Sequence, residues 1–370
     1  RARRPRGVPL LCLPAIIGFG LFGCDRGSRV PVAIGGDISG LEGYQQDWLI
    51  DGHQHDLVAV HGLAVRRDGV VAVLQRLDHG VRLFSPGGAS LGLMGDEGEG
   101  PGEFDLPSRL GWIADTLWVF DSGLHRVTYL LDDGTVIRTV RLPPNLLFEK
   151  EEDEIGSYLF RIEKVLPDGS ILAWIYGARG HVDGVVDGQS RVLVRAEPEK
   201  SGSLWYLRHI VARLPGRDFA QVNTEEGYVR VRRPFPNEVF LAISPNAEHL
   251  AILTGEVEGE NAGCIEVSVV GTQGDTIMSD RLLIPPIRMP RSLEDSVRQA
   301  YLESARTQPE AARAAATRQA AEVPSFYPPV FDALLDGSDR LWIRGLPLRN
   351  GYTVYEGLGN SRWRVLTGPK

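Results

Sequence analysis

The chain holds little methionine and little cysteine, three of each in 370 residues. Cys12, Cys24 and Cys264 have no metal-ligand or framework spacing, which excludes a disulfide scaffold. After Cys24 there is no second apolar run of membrane length and no basic amphipathic segment, so contact with a bilayer would depend on the N-terminal region. Positive charge is also in deficit, with 40 Lys and Arg against 48 Asp and Glu. Taking away residues 1–23, which carry Arg1, Arg3, Arg4 and Arg6 and no acid, leaves a body more acidic still. Such a surface argues against nucleic acid as a partner. Cys264 reads as the start of a strand with no catalytic signature, so a cysteine nucleophile has no support.

What is present begins with a basic stretch, Arg1 to Arg6, followed by an apolar run from Val8 to Gly23. That is the layout of a secretory signal, and Cys24 directly after it resembles the acylated first residue of a mature bacterial lipoprotein. Residues 1–23 are read as signal peptide and 24–45 as lipidated cysteine and tether, rich in Gly-Ser, Gly-Gly and Ser-Gly pairs. The expected location is the cell envelope, on a membrane anchor, periplasmic or surface-exposed.

Glycine (43) and proline (24) sit at intervals between short β-branched and aromatic runs, as they do where tight turns join many strands. Two segments repeat one another. Val71–Val73, His79–Leu83 and Pro86–Gly88 recur 46 residues later as Leu117–Val119, His125–Tyr129 and Asp132–Gly134. This is the length of a four-stranded propeller blade, a unit that hides both faces of its sheet only by stacking on neighbours. Second-strand signals follow at Val70–Val73, Leu117–Phe120, Ile171–Trp174, Leu250–Leu253 and Leu341–Ile343, each after a turn signal. The body, 46–370, is therefore read as all-β, with insertions in its loops. Within 291–322, Ser292 and Thr307 read as N-caps with an acid three residues on, which predicts two short helices on the rim. Arg362–Lys370 looks like the middle of a blade, and the repeat length predicts a further ~40 residues to complete it.

Gly95–Pro107, Leu117–Asp121 with Arg126-Val127, Asp132–Gly134, Pro328–Phe331, Asp336-Gly337 and Leu341-Trp342 together resemble the NHL-repeat type of six-bladed β-propeller. Within that type the chain is similar to bacterial envelope lipoproteins. The resemblance implies six blades around a central channel and no single activity, because the fold hosts scaffolds, binding proteins, lyases and lactonases. Gly95, Gly98, Gly100 and Gly102 supply the turns of an inter-blade crossing that Phe104 anchors, and Asp121 and Arg126 are expected to hold backbone rather than substrate.

Ligands of such folds bind at the channel mouth, where turns between second and third strands meet the crossings. The polar residues expected there are Arg76, Asp78, His79, His125, Tyr176, Arg179, Glu258 and Arg349. His79, His125 and His181 occupy matching turns and form a candidate site for a divalent metal, with an open position for water. Asp51–Asp56, with His53 and His55 two apart, reads as an exposed edge strand or a second metal cluster with His61. The favoured expectation is a non-enzymatic propeller that binds a protein, peptide or glycan. The competing one is a metal-assisted lyase or hydrolase using the channel histidines.

Overall fold

The structure is a computed structural model of the chain. It describes residues 50–57, 60–149, 155–176, 191–200, 202, 204–214, 219–224, 227–236, 238–258, 262–306, 310–337, 340–344, 353–358 and 362–367. The signal, Cys24 and the tether lie outside them, as do Arg179, His181 and Arg349.

Sheet one comprises β1 (Val60–Val65), β2 (Val71–Gln75), β3 (Gly80–Phe84) and β4 (Ser90–Met94), joined in order by antiparallel pairing. Sheet two repeats it with β5 (Pro107–Ile113), β6 (Thr116–Asp121), β7 (Arg126–Leu130) and β8 (Val136–Arg141). Sheet three has five strands, β9 (Asn145–Glu149), β10 (Ile155–Val165), β11 (Ile171–Tyr176), β12 (Arg191–Pro198) and β13 (Trp205–Leu214). Here β9 pairs antiparallel with β10 and touches β13 in parallel at Leu147 and Tyr206, so the sheet curls shut. A hairpin follows, β14 (Phe219–Thr224) and β15 (Gly227–Arg232). Sheet four is β16 (Val239–Ile243), β17 (His249–Glu258), β18 (Ala262–Gly271) and β19 (Thr276–Ile284). Two helices, α1 (Arg291–Ser304) and α2 (Glu310–Ala321), precede sheet five, β20 (Asp332–Leu335), β21 (Arg340–Arg344), β22 (Thr353–Leu358) and β23 (Arg362–Thr367).

The five second-strand signals fall on β2, β6, β11, β17 and β21. The expected six blades do not: the described residues form four sheets of four strands, with the closed β9–β13 sheet among them. Its strands reach 10 and 11 residues, long enough to coil and meet edge to edge. Nor does Arg362–Thr367 stand mid-blade, because β23 is the fourth strand of its sheet.

The sheets stack face on face in chain order. Ala72, Leu74, Leu117 and Val119 join sheets one and two, and Trp118, Phe120, Ile162 and Ala173 join two and three. Leu172, Trp174, Leu250 and Val270 join three and four, and Ala251, Leu253, Leu341 and Ile343 join four and five. Alternate residues of one strand thus serve opposite neighbours, which explains why β2 is buried along its whole length and β6 from Leu117 onward. First strands neighbour one another (β1 with β5, β5 with β10, β16 with β20), whereas β4 and β8 are largely exposed. First strands inside, fourth strands outside and faces stacked in series make a propeller arrangement. Trp118 is fully buried, and a Cβ on Gly111 would stand 2.6 Å from its indole, so sheet two closes around it. Trp118→Ala would cost about 3–5 kcal/mol. Trp342, at the matching place in sheet five, instead donates its Nε1 hydrogen to Asp336 at 2.8 Å.

In an antiparallel meander the first strand starts, the second ends and the fourth ends at one edge. Turns after second strands and the crossings between sheets therefore share an edge, called the loop edge below. There the repeat is kept in the backbone itself: His79 and His125 have φ of 50° and 48°, and Gly88 and Gly134, at the opposite edge, 82° and 84°. Phe104 is fully buried and anchors the crossing, while Gly95, at φ 98°, lies so close that a Cβ would stand 2.7 Å from the Phe104 ring. Asp121 accepts backbone N–H groups from Asp105, Leu106, Gly123 and Leu124 at 2.7–3.1 Å, and Arg126 donates to the carbonyls of Glu99, Gly100 and Glu103. Both hold backbone, as expected. The opposite edge is stitched between sheets by Arg66, which pairs with Asp68 and with Asp132 of sheet two.

Two local expectations are corrected. Asp51–Leu57 is a turn rather than an edge strand: the Asp51 carboxylate accepts the His53 N–H at 2.9 Å, Leu57 N–H bonds Gly52 C=O, and Asp56 takes φ 52°. Aspartate followed by glycine favours such a side-chain-closed turn over a strand. Ser292 is not a cap, since α1 starts at Arg291 after Pro290 and has no side-chain cap bond. Proline, lacking an N–H, suits a helix entry without one.

Candidate functional site

The loop edge gathers the residues singled out in the sequence. Arg76, Asp78 and His79 share the β2–β3 turn, and His125 ends the equivalent β6–β7 turn. Tyr176 is the last residue of β11 and Glu258 the last of β17. Arg179 and His181 belong to the β11–β12 connection and Arg349 to the β21–β22 connection, outside the described residues.

Within this set Asp78 and His79 are engaged with the fold. Asp78 pairs with the amide of Gln75, and His79 Nδ1 lies 3.1 Å from the Phe104 carbonyl. That bond makes Nδ1 the protonated nitrogen and ties the turn to the crossing. His125 is exposed. Among the described residues no group of three or more His, Cys, Asp or Glu side chains is gathered closely enough to hold a metal ion.

A cleft of about 200 Å³ opens elsewhere on the loop edge. Its walls come from the two crossings that carry insertions. Arg233, Pro234 and Phe235 follow the β14–β15 hairpin on the way to sheet four, and Glu322 with Pro324–Pro328 follows α2 on the way to sheet five. Val257, near the end of β17, is the floor residue from a sheet. The two crossings are bound together: α2 packs on β14 and β15, Arg233 Nε lies 3.2 Å from Glu322 Oε2, and Glu322 also pairs with Arg318 of α2.

The local sequence explains this shape. α2 turns Ala315, Ala316 and Ala320 inward, and alanine lets α1 approach closely enough for Arg298 Nε to reach the Ala320 carbonyl at 3.2 Å. Beyond α2 the chain returns as a short antiparallel ribbon, Met289 N–H to Ser325 C=O and Tyr327 N–H to Ile287 C=O, both 2.9 Å. The ribbon presents Phe326, with Arg288 stacked 5.8 Å from its ring, and Tyr327, which meets Phe235 edge-on at 6.2 Å. Phe235 takes φ 47°, an uncommon conformation for a bulky residue, which re-aims its ring at Tyr327. The cleft is thus aromatic and proline-lined, and its carboxylate, Glu322, is neutralised by two arginines. Sequence reading located the helical insertion but missed Arg233, Phe235, Glu322, Phe326 and Tyr327. The signal available was the aromatic-proline run Ser325–Pro329 directly after the helix.

No protein-family model and no curated protein matches the chain. Solved structures do. It is similar to the virginiamycin B lyase of Staphylococcus aureus, with 11% identity, 83% of each chain covered and a TM-score of 0.35. It is also similar to Hsv2 of Kluyveromyces lactis, with 9% identity, 80% of this chain and 73% of that one covered and a TM-score of 0.31. A chain of the nidogen/laminin complex matches with 11% identity, 60% and 79% covered and a TM-score of 0.27. The class defined by the chain's own sheets is an all-β protein of propeller arrangement, carrying two insertions on its loop edge. No helix among the described residues is long and apolar enough to cross a membrane.

Proposed function

We propose that the protein is a binding propeller of the cell envelope, anchored through a lipid on Cys24, that takes a segment of a protein, peptide or glycan into the cleft on its loop edge. The observation that carries this reading is the cleft itself. Aromatic rings and proline rings offer rigid apolar surface, Arg233 and Ser325 offer polar contacts at the rim, and the one carboxylate is already paired. Such a lining suits recognition of extended chains or sugar faces, and it holds no free general base for a hydrolytic or lyase step. His79 and the other residues of the loop-edge turns would border an approaching partner without doing chemistry on it.

The test has two arms. Cys24→Ala should move the protein from the membrane fraction to the soluble envelope fraction; retention in the membrane would count against the lipid anchor. The folded body should bind members of a peptide and oligosaccharide array, and Phe326→Ala should weaken that binding by about tenfold or more, as for a central aromatic anchor. Binding that survives Phe326→Ala and Phe235→Ala unchanged would place the ligand elsewhere.

A further inference from the structure

Strand β10 breaks its alternation at one point. Ile162 pairs with Ala173 and Lys164 with Leu172, so Glu163 is the extra residue of a β-bulge. Ile162 and Val165 both enter the core shared with sheet two. The two residues between them, Glu163 and Lys164, are left side by side on the other side of the strand. Glu163 Oε2 accepts the Trp174 Nε1 hydrogen at 2.9 Å and lies 3.5 Å from Arg109 Nη2. Arg109 belongs to β5, so a carboxylate reached from both places stands at the inner edge, where first strands meet.

Lys164 is partly buried and makes no hydrogen bond or ion pair among the described residues, although Glu163 precedes it. Burial holds its ammonium below the ordinary lysine range, and the charge of Glu163 opposes that only in part. The residue type is telling. Lys150, Lys164, Lys200 and Lys370 are the lysines of a chain with 40 lysines and arginines together. Arginine fills nearly every other cationic position, and arginine does not give up its proton, whereas an amine can. Arg161, two residues earlier and level with Trp174, is exposed and equally without a partner among the described residues.

We propose that Lys164 is a carbonyl-reactive amine on the inner wall of the propeller, and that small aldehydes or ketones bearing an anionic group bind there as imines, their anionic end against Arg161. This site is independent of the loop-edge cleft. The neutral amine nitrogen attacks the carbonyl carbon, and the carbonyl electron pair moves to oxygen, which takes up a proton. The nitrogen lone pair then closes the C=N bond, the hydroxyl leaves as water, and the nitrogen proton is lost. One aldehyde and one amine give one imine and one water, with no oxidant or reductant. Solvent water takes the nitrogen proton and supplies the one that leaves with the hydroxyl.

The test treats the unaltered full chain with 4-formylbenzoate near neutral pH, traps the imine with cyanoborohydride and maps the labelled lysines by mass. Lys164 should be labelled about tenfold faster than the exposed Lys200, and its labelling should set in at a lower pH than that of Lys200. Benzaldehyde, which lacks the carboxylate, should label Lys164 more slowly, and Arg161→Ala should erase the difference between the two aldehydes. Labelling of Lys200 as fast as Lys164, or the same pH midpoint for both, would overturn the proposal. Because the mapping uses the unaltered chain, it does not depend on a Lys164 variant folding.

Discussion

At the end of β6 the buried carboxylate of Asp121 accepts four backbone N–H groups, two from the crossing before it and two from its own turn. At the end of β2, 46 residues earlier, Gln75 stands in the same place, also buried, and its amide reaches only the Asp56 carbonyl at 3.5 Å and the Asp78 carboxylate. Its Oε1 atom has no partner among the described residues. The two turns share a backbone path, down to the positive φ at His79 and His125. What differs is the fastening of the segment laid over each turn: Arg126 clamps three carbonyls of the 95–106 crossing, whereas Asp51–Leu57 rests on sheet one through Ile50 and Leu57 packed on Val71, Val73 and Phe84. A repeat can therefore conserve geometry while one copy is held by charge-assisted hydrogen bonds and the other by apolar contact and a single amide.

The sharpest way to break the comparison is to remove both hubs. Asp121→Ala strands four N–H groups, and urea unfolding should show a loss of about 3–5 kcal/mol; Gln75→Ala should lose about 1 kcal/mol. Equal losses would mean that the two corners are fastened alike. Next in size is Arg126→Met, which keeps the stem and removes the clamp. It should cost about 2–3 kcal/mol, with faster amide exchange confined to 96–104 and none at 51–57. Gly95→Ala should cost about 1–2 kcal/mol, because its φ is positive and the new methyl group meets Phe104. Smallest are the two histidines. His125→Gly relieves a left-handed residue with an exposed ring and should stabilise by about 0.5–1 kcal/mol, whereas His79→Gly also loses the ring contact to the Phe104 carbonyl and should come out near zero. A melting-temperature series on these two variants checks the ordering.

Much of this architecture was legible before any coordinates. The 46-residue recurrence located two sheets, and the turn signals before β11, β17 and β21 located three more, because Asp-Gly and Pro-Asn pairs set a turn whatever surrounds them. The crossing with Gly95 and Phe104 and the structural roles of Asp121 and Arg126 followed from the same local chemistry. The blade count did not, since β9 curls onto β13 through a parallel pairing of residues far apart in the chain, Leu147 with Tyr206, that no pattern announces. Asp51–Asp56 departs from a strand because the Asp51-Gly52 pair closes a turn that overrides the alternation of polar residues along it. The cleft was invisible for a different reason: Arg233 and Glu322 lie far apart in the chain, inside insertions that obey no repeat, and they meet only because α2 settles on the β14–β15 hairpin.

That meeting has a bearing on how the chain tolerates change. Insertions into neighbouring crossings would ordinarily drift independently, each lengthened or trimmed without regard to the other. Here the hairpin and the helical pair hide each other's surface and share the Arg233–Glu322–Arg318 bridge, so trimming one lays the other bare. The pair would be inherited or lost as a unit, a removable module on the loop edge.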